Sequence, residues 1–282
     1  MNHSAYPSVF RPGLFSGRTI VVTGGGTGLG RCIARELAAL GAHVVLAART
    51  PDPLKTTASE IEACGGSASW RSCNIRREEE VAALFAWVRE ERGAVDGLVN
   101  NAGGQFVSPA EDISQKGWHA VVETCLTGTF LCCREAYRAS MRERGGSIVN
   151  VVSEMWRGFP GMAHSGAARA GVVNLTKTLA VEWAHAGVRV NALAPGLIRT
   201  TGLQKYGEAL QPFLEEVARD VPAKRMGTEA EVSAAATFLL SPAAAYVTGA
   251  TLCVDGGGSL WRKTWSIEDH EGFPPFEGFA PE

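Results

Sequence analysis

Short apolar runs alternate with longer stretches of helical periodicity along almost the whole chain. The apolar runs predict strands at Thr19–Thr23, His43–Ala48, Ser67–Cys73, Val95–Asn100, Gly146–Ser153, Val188–Ala194 and Thr251–Val254. The intervening segments predict helices at Leu29–Leu40, Leu54–Cys64, Glu78–Arg92, Ser114–Arg144, Ala163–Ala186 and Glu229–Leu240. Thr228-Glu229-Ala230-Glu231 reads as a capping box opening the last of these helices. Such alternation implies an α/β fold with a doubly wound parallel sheet of about seven strands and helices on both faces. Ligands of such sheets bind outside the carboxyl ends of the strands. Residues 196–224 break the alternation and hold an amphipathic helix around Tyr206–Arg219. An insertion at that place reads as a substrate lid. From Ser259 on, Trp261, Trp265, Phe273, Phe276 and Phe279 stand among prolines. That segment is too apolar for a solvated tail, and it is expected to dock on its own domain or on a neighbouring subunit.

Thr23-Gly24-Gly25-Gly26-Thr27-Gly28-Leu29-Gly30 joins the first strand to the first helix. Gly24 and Gly26 permit a tight turn, Gly28 lets the backbone approach a pyrophosphate, and Gly30 lets the helix pack close to the strand. The helix N-terminus then offers free N–H groups and partial positive charge to phosphates. A purely structural turn would not need so many glycines. The expected organisation is therefore a single Rossmann-type domain. Residues 1–17 form an arm, 18–258 the dinucleotide-binding and catalytic domain, and 259–282 a docking tail.

At 282 residues and 45% hydrophobic content the chain fits one large domain with a substantial core. A net charge of -2 provides no basic field for nucleic acid and no polybasic membrane patch. No apolar run approaches the length that spans a bilayer. Seven scattered cysteines form no CxxC pair, which reads as reduced thiols in a cytoplasmic protein. Met1-Asn2-His3-Ser4 lacks a secretion pattern, and Gly278-Phe279-Ala280-Pro281-Glu282 lacks a Ser-Lys-Leu type address. No metal-ligand spacing is evident, and no metal is expected.

Asn100-Asn101-Ala102-Gly103, Pro195-Gly196 and Asp255-Gly256-Gly257 follow three of the predicted strands. Together with the glycine loop, these motifs resemble the short-chain dehydrogenase/reductase family over nearly the whole chain. The resemblance assigns Thr23, Gly24, Gly26, Thr27, Gly28, Leu29 and Gly30 to the cofactor loop. It assigns Asn101, Ala102 and Gly103 to the strand-four motif, and Pro195 and Gly196 to the turn facing the nicotinamide, with Ile198 and Thr200 just beyond. Asn74 and Ile75 match residues flanking the adenine, although Asn74 also suits a simple turn. Within the family, residues 103–111 and 164–172 look most like the peroxisomal trans-2-enoyl-CoA reductases, and the 2,4-dienoyl-CoA reductases are similar but more distant. The resemblance implies a nicotinamide cofactor, an acyl thioester as small-molecule substrate, and a homo-tetramer or homo-dimer. NAD-preferring sites carry an acid after the second strand, whereas Ala48 and Arg49 leave room and charge for a 2′-phosphate. NADP(H) is the cofactor expected; a solvated surface arginine is the plainer reading of Arg49.

The usual family site is Asn, Ser, Tyr and Lys, with Tyr-x-x-x-Lys on one helical face. This chain has Ser165 and Arg169 at the Tyr and Lys positions, and Cys125 at the helical Asn position. Only Ser153, after the fifth strand, remains. The dienoyl-CoA reductases also have Ser-x-x-x-Lys, and bind the thioester oxygen with an Asn that aligns with Gln105 and a Tyr just after strand five. Here Ser153, Glu154, Met155 and Trp156 follow strand five, with no tyrosine.

The departure fits enoyl reduction. Hydride addition to an enoyl thioester builds charge on the thioester oxygen, which a Gln amide and a Ser hydroxyl can receive. Ketone reduction needs a proton on the alkoxide itself, so losing the Tyr is costlier there. Arg169 can hold the ribose and keep a positive charge near the nicotinamide, but titrates too high for a proton relay. Lys177 lies roughly 12 Å along the helix from Arg169, too far to replace the lysine. Asn101 serves either the cofactor or a tie between strands four and five. Ser165 is either a functional hydroxyl or a helix cap. Phe106 reads as a pocket wall, and His164 either donates a proton or faces away. No residue is assigned as proton donor. The expected enzyme is an NADP(H)-dependent oxidoreductase that reduces the C=C bond of a 2-enoyl thioester. An alcohol dehydrogenase or ketoreductase on a secondary metabolite and a nucleotide-binding, non-redox protein remain as other readings. Ala163-His164-Ser165-Gly166-Ala167 lacks the flanking glycines and preceding strand of a hydrolase nucleophile elbow.

Overall fold

A computed structural model describes residues 8–200, 211–260 and 265–278. The elements in chain order are β1 (Thr19–Thr23), α1 (Gly28–Ala39), β2 (His43–Ala48), α2 (Pro51–Ala63), β3 (Ser67–Ser72), α3 (Glu78–Arg92) and β4 (Gly97–Asn100). There follow α4 (Gln115–Val122), α5 (Gly128–Ala136), α6 (Arg142–Arg144), β5 (Gly146–Val151), α7 (Ala163–Glu182), β6 (Val188–Pro195) and β7 (Ile198–Arg199). The last are α8 (Gln211–Asp220), β8 (Gly227–Thr228), α9 (Glu229–Leu240) and β9 (Thr251–Val254).

The described residues form a seven-stranded sheet in the order β3-β2-β1-β4-β5-β6-β9, with every pair parallel. Alternation along each strand feeds two cores. Ile20, Val22, Val44 and Leu46 pack with α1, α2 and α9 on one face. Val21, Val45, Leu98 and Ile148 pack with α3, α5 and α7 on the other. Strands buried on both faces read as continuous apolar runs, which is why they were legible. The chain goes from β1 outward to β2 and β3 and then returns to β4 on the other side of β1. The order therefore reverses at β1/β4, and the crevice at their carboxyl ends is where this class of sheet takes its ligand.

Several boundaries differ from the sequence reading. Cys73 lies beyond β3, β4 opens at Gly97, and Val152 and Ser153 lie beyond the end of β5. Pro51 opens α2 three residues early, at the position where a missing N–H costs nothing. The predicted Ser114–Arg144 helix is continuous but contains two wide π turns, Glu123–Thr127 and Tyr137–Met141. Only the part of the predicted lid helix from Gln211 on lies within the described residues, and it runs to Asp220. The short ladder between β7 and β8 was not predicted.

Residues 265–278 lie against the β8–α9 junction. Arg225 donates to Phe273 O at 2.6 Å, the Thr228 hydroxyl to Phe276 O at 2.6 Å, and Phe276 N to Glu231 Oε1 at 3.3 Å. Hydrogen bonds to its backbone and the Arg199–Glu277 and Lys224–Asp269 ion pairs hold this segment, while Trp265 is 77% and Phe273 59% exposed. Trp261 and Phe279 lie outside the described residues. Thr228 also completes the expected capping box with Glu231. Thr228→Ala removes both bonds at once and is expected to cost about 1–2 kcal/mol. The midpoint of urea unfolding measures this, and limited proteolysis should cut first within 265–278.

Candidate active site

The loop after β1 forms a cradle at the switch point. Gly24 and Gly28 adopt left-handed φ values of 66° and 54°. A Cβ at Gly30 would collide with the Gly24 carbonyl oxygen and with Asn101 Nδ2. Thr27 caps α1 by backbone only; its side chain makes no cap bond, and the first turn has no acid. The helix start therefore presents unpaired N–H groups and an uncompensated partial charge, which fits a pyrophosphate. Thr23, fully buried, donates to Val99 O at 3.3 Å and accepts from Asn101 N and Ala102 N, both at 3.1 Å. Asn101 Nδ2 donates to Thr23 O at 3.1 Å and Gly24 O at 3.2 Å. Asn101 thus ties β4 to the glycine loop, and not to β5 as one of its two sequence readings had it. The β4–β5 tie is Asn100 Nδ2 to Asn150 Oδ1 at 2.9 Å.

Around this cradle, Asn74 makes a turn, accepting from Arg76 N at 3.3 Å, and Ile75 packs against Gly128. Arg49 is exposed at the end of β2 with no carboxylate partner among the described residues. Pro195 closes β6 opposite Val254, and Gly196 presses on Asp255. Ile198 is buried in β7 and Thr200 is half-buried. Gly103 is exposed, 3.5 Å from Arg169 Nη2 when given a Cβ.

Residues 153, 165, 169 and 105 come from the end of β5, the start of α7 and the loop after β4. Ser165, 0% exposed, donates to Gln105 Oε1 at 2.7 Å and accepts from Arg169 Nε at 3.1 Å. Arg169 also reaches Val151 O at 3.5 Å. The four-residue spacing of Ser165 and Arg169 places them one turn apart on α7, as the periodicity requires. Gln105 gives its carbonyl to Ser165, so its amide NH2 remains free to donate. Ser153 Oγ is buried and has no hydrogen-bond partner among the described residues. Buried hydroxyls are ordinarily satisfied, which makes this one a candidate ligand contact. Arg169 has no ion pair among the described residues. Burial pushes its guanidinium below the ordinary arginine value, and Cys125 partly opposes this. It remains charged, since arginine does not deprotonate in proteins.

Cys125 is a small buried group in the first π turn, 3.6 Å from Gly104 O. His164 is 0% exposed and accepts the Ser165 backbone N–H on Nδ1 at 2.8 Å. Its proton therefore sits on Nε2, which has no partner among the described residues and is sealed from solvent. Phe106 packs edge-on at 4.4 Å. The described tyrosines lie elsewhere: Tyr137 stacks on Trp183 at 4.3 Å, near the far end of α7, and Tyr246 is fully exposed. Sequence reasoning gave no role to Glu154 or Asp255, which the fold brings to either side of Pro195–Gly196. No cluster of His, Cys, Asp and Glu among the described residues could hold a metal. No helix among them is long and apolar enough to cross a membrane.

A parallel sheet with a glycine cradle at its switch point is the architecture of a dinucleotide-binding Rossmann domain. A family model described as Enoyl-(Acyl carrier protein) reductase matches residues 24–259. A probable 2,4-dienoyl-CoA reductase of Bacillus subtilis is 38% identical over 85% of this chain and 96% of its own length. A peroxisomal 2,4-dienoyl-CoA reductase of Pongo abelii is 36% identical over 98% of this chain and 94% of its own. Among solved structures, a citronellol catabolism dehydrogenase of Pseudomonas aeruginosa is 55% identical over 90% of this chain and all of its own, with a TM-score of 0.82. The chain belongs to the short-chain dehydrogenase/reductase family of oxidoreductases, and the dienoyl-CoA reductases are among its relatives.

Proposed function

We infer that the protein is an NADP(H)-dependent reductase of the C=C bond of a 2-enoyl thioester. The observation that carries this is the Arg169–Ser165–Gln105 chain standing where a ketoreductase has Tyr and Lys. A bound reduced nicotinamide supplies the hydride. The protein's own part is to receive the charge that appears on the thioester oxygen. Ser165 spends its proton on Gln105 and so acts as a positioning residue, turning the Gln105 amide NH2 outward. Gln105 Nε2 and the partnerless Ser153 hydroxyl are the donors for the oxyanion. Arg169 adds an unpaired positive charge in a half-buried place, where such a charge acts strongly. Among the described residues no tyrosine stands beside Ser153 in the place where a ketoreductase protonates its alkoxide, which disfavours ketone reduction.

Arg49 supports NADP(H). It is exposed, uncommitted to any carboxylate among the described residues, and placed where the ribose 2′ position of a nucleotide in the cradle falls in this family. Arg49→Asp is expected to lower the preference for NADPH over NADH by about 10–100-fold, the worth of a charge-assisted hydrogen bond. Calorimetric titration of both cofactors measures it. Acyl thioesters imply a carrier, CoA or a carrier protein, as partner; a homo-oligomer and a cytoplasmic location complete the proposal. The 55% identity to a citronellol catabolism dehydrogenase favours one second reading, a dehydrogenase of an acyclic terpenoid alcohol. Assaying crotonyl-CoA with NADPH beside citronellol with NADP separates the two.

A further inference from the structure

The inference rests on alkene reduction as proposed above and supplies the proton source which that reading lacks. Glu154 directly follows Ser153 at the carboxyl end of β5. Its backbone N–H donates to Pro195 O at 3.2 Å, which holds it beside the Pro195–Gly196 turn. Asp255 stands on the other side, so close that a Cβ on Gly196 would lie 2.7 Å from Asp255 Cβ. Two carboxylates therefore flank the turn that faces the nicotinamide in this family.

Their situations differ. Asp255 is committed to structure, accepting from Gly257 N and Ser259 N at 3.0 Å each. Glu154 accepts no hydrogen bond among the described residues. Its cationic neighbour, Arg157 Nη2, is 3.9 Å away and donates instead to Gly258 O at 2.5 Å. Glu154 Oε2 lies over Gly258, 3.1 Å from where a Cβ would stand. The side chain is 31% exposed, so it is half-buried yet reachable by water. The charged and titratable groups facing it are Asp255 and Cys253 from the β9 end and Arg157 from its own loop. Burial first, and the Asp255 charge second, raise its pKa, and Arg157 opposes them. A carboxyl in this position keeps its proton further toward neutral pH than an ordinary glutamate does. Among the described residues the other candidate acids are excluded by place: His164 is sealed, Tyr137 stacks on Trp183 near the far end of α7, and Tyr246 is fully exposed.

We propose that Glu154 is the proton donor of the reduction, giving its carboxyl proton to the α carbon of the substrate. Hydride addition at the β carbon leaves the former double-bond pair as an enolate, its charge on the thioester oxygen. As that pair returns to the α carbon, the Glu154 O–H bond breaks and the new C–H bond forms. The thioester C=O is restored, and the Glu154 carboxylate regains a proton from water at its exposed edge. One hydride and one proton are thereby added across the double bond. The donor works only when protonated, so the rate falls as pH rises through the Glu154 pKa. Because that pKa is raised, the fall comes above the ordinary carboxylate range.

The test compares wild type with Glu154→Gln and Glu154→Asp. Carboxyl carbon-13 NMR of glutamate-labelled protein follows the titration directly, and NADPH binding checks the cradle. Crotonyl-CoA reduction is measured across pH. One glutamate signal should titrate above the ordinary range and vanish in Glu154→Gln. NADPH affinity should stay within about twofold, while kcat falls about 10²–10³-fold at unchanged KM, the usual worth of a general acid. The basic limb of the kcat profile should vanish in Glu154→Gln and partly return in Glu154→Asp. Turnover by wild type with the rate and pH limb intact in Glu154→Gln overturns the donor alone, as does an ordinary titration of Glu154. Absence of any alkene reduction by wild type overturns the reaction and the donor with it.

Discussion

Methionine at position 169 is expected to lower kcat/KM for enoyl-thioester reduction by about 10²–10³-fold, the loss that follows removal of one preorganised oxyanion stabiliser. Methionine keeps the length and apolar stem of the side chain and deletes the charge and the Nε–H donor. Two consequences follow from the geometry. The positive charge facing the developing oxyanion disappears. The 3.1 Å bond to Ser165 also goes, releasing the hydroxyl that orients Gln105. Lysine at 169 should recover part of the activity, since it restores the charge without the planar fork. Steady-state kinetics with NADPH and crotonyl-CoA measure the effect. An Arg169→Met enzyme within fivefold of wild type would remove Arg169 from the active machinery.

Gly30→Ala is expected to weaken NADPH binding at least tenfold and to lower Tm by several degrees. The added methyl group meets backbone on one side and the Asn101 amide on the other, and neither can swing away. Either the Gly24 carbonyl or the start of α1 must shift. Overpacking of this kind costs about 1–3 kcal/mol, or roughly 2–4 °C per kcal/mol in a chain of this size. The shift also displaces the N–H groups that form the phosphate cradle. Thermal unfolding with and without NADPH reads both effects, because a bound nucleotide raises Tm only where the cradle is intact. A Gly30→Ala protein with wild-type affinity would show that the glycine serves packing alone.

What was legible in the sequence was what repeats locally. Val21 and Val45 serve one core while Ile20, Val22, Val44 and Leu46 serve the other, so the strands announced themselves as unbroken apolar runs. The glycine loop and the Ser165–Arg169 spacing were equally local. The two π turns were not legible, since each shifts the helical repeat by one residue within an otherwise continuous pattern. The partner of Asn101 stayed open because its amide meets Thr23 O and Gly24 O only through the β1–β4 pairing. Glu154 was passed over for a different reason: its burial and the Asp255 carboxylate that raise its pKa depend on residues about a hundred positions away, which arrive only through the β5–β6–β9 pairing. The backbone hydrogen bonds of residues 265–278 were hidden in the same way, behind aromatics that the eye takes for anchors.

The central claim is reduction of an activated carbon–carbon double bond. Incubating the purified protein with NADPH and crotonyl-CoA, and weighing the acyl product by mass spectrometry, tests it most directly. The expected result is NADPH oxidation with two hydrogens added to the acyl chain. Tight NADPH binding, an unaltered crotonyl-CoA and turnover of a terpenoid alcohol instead would contradict it.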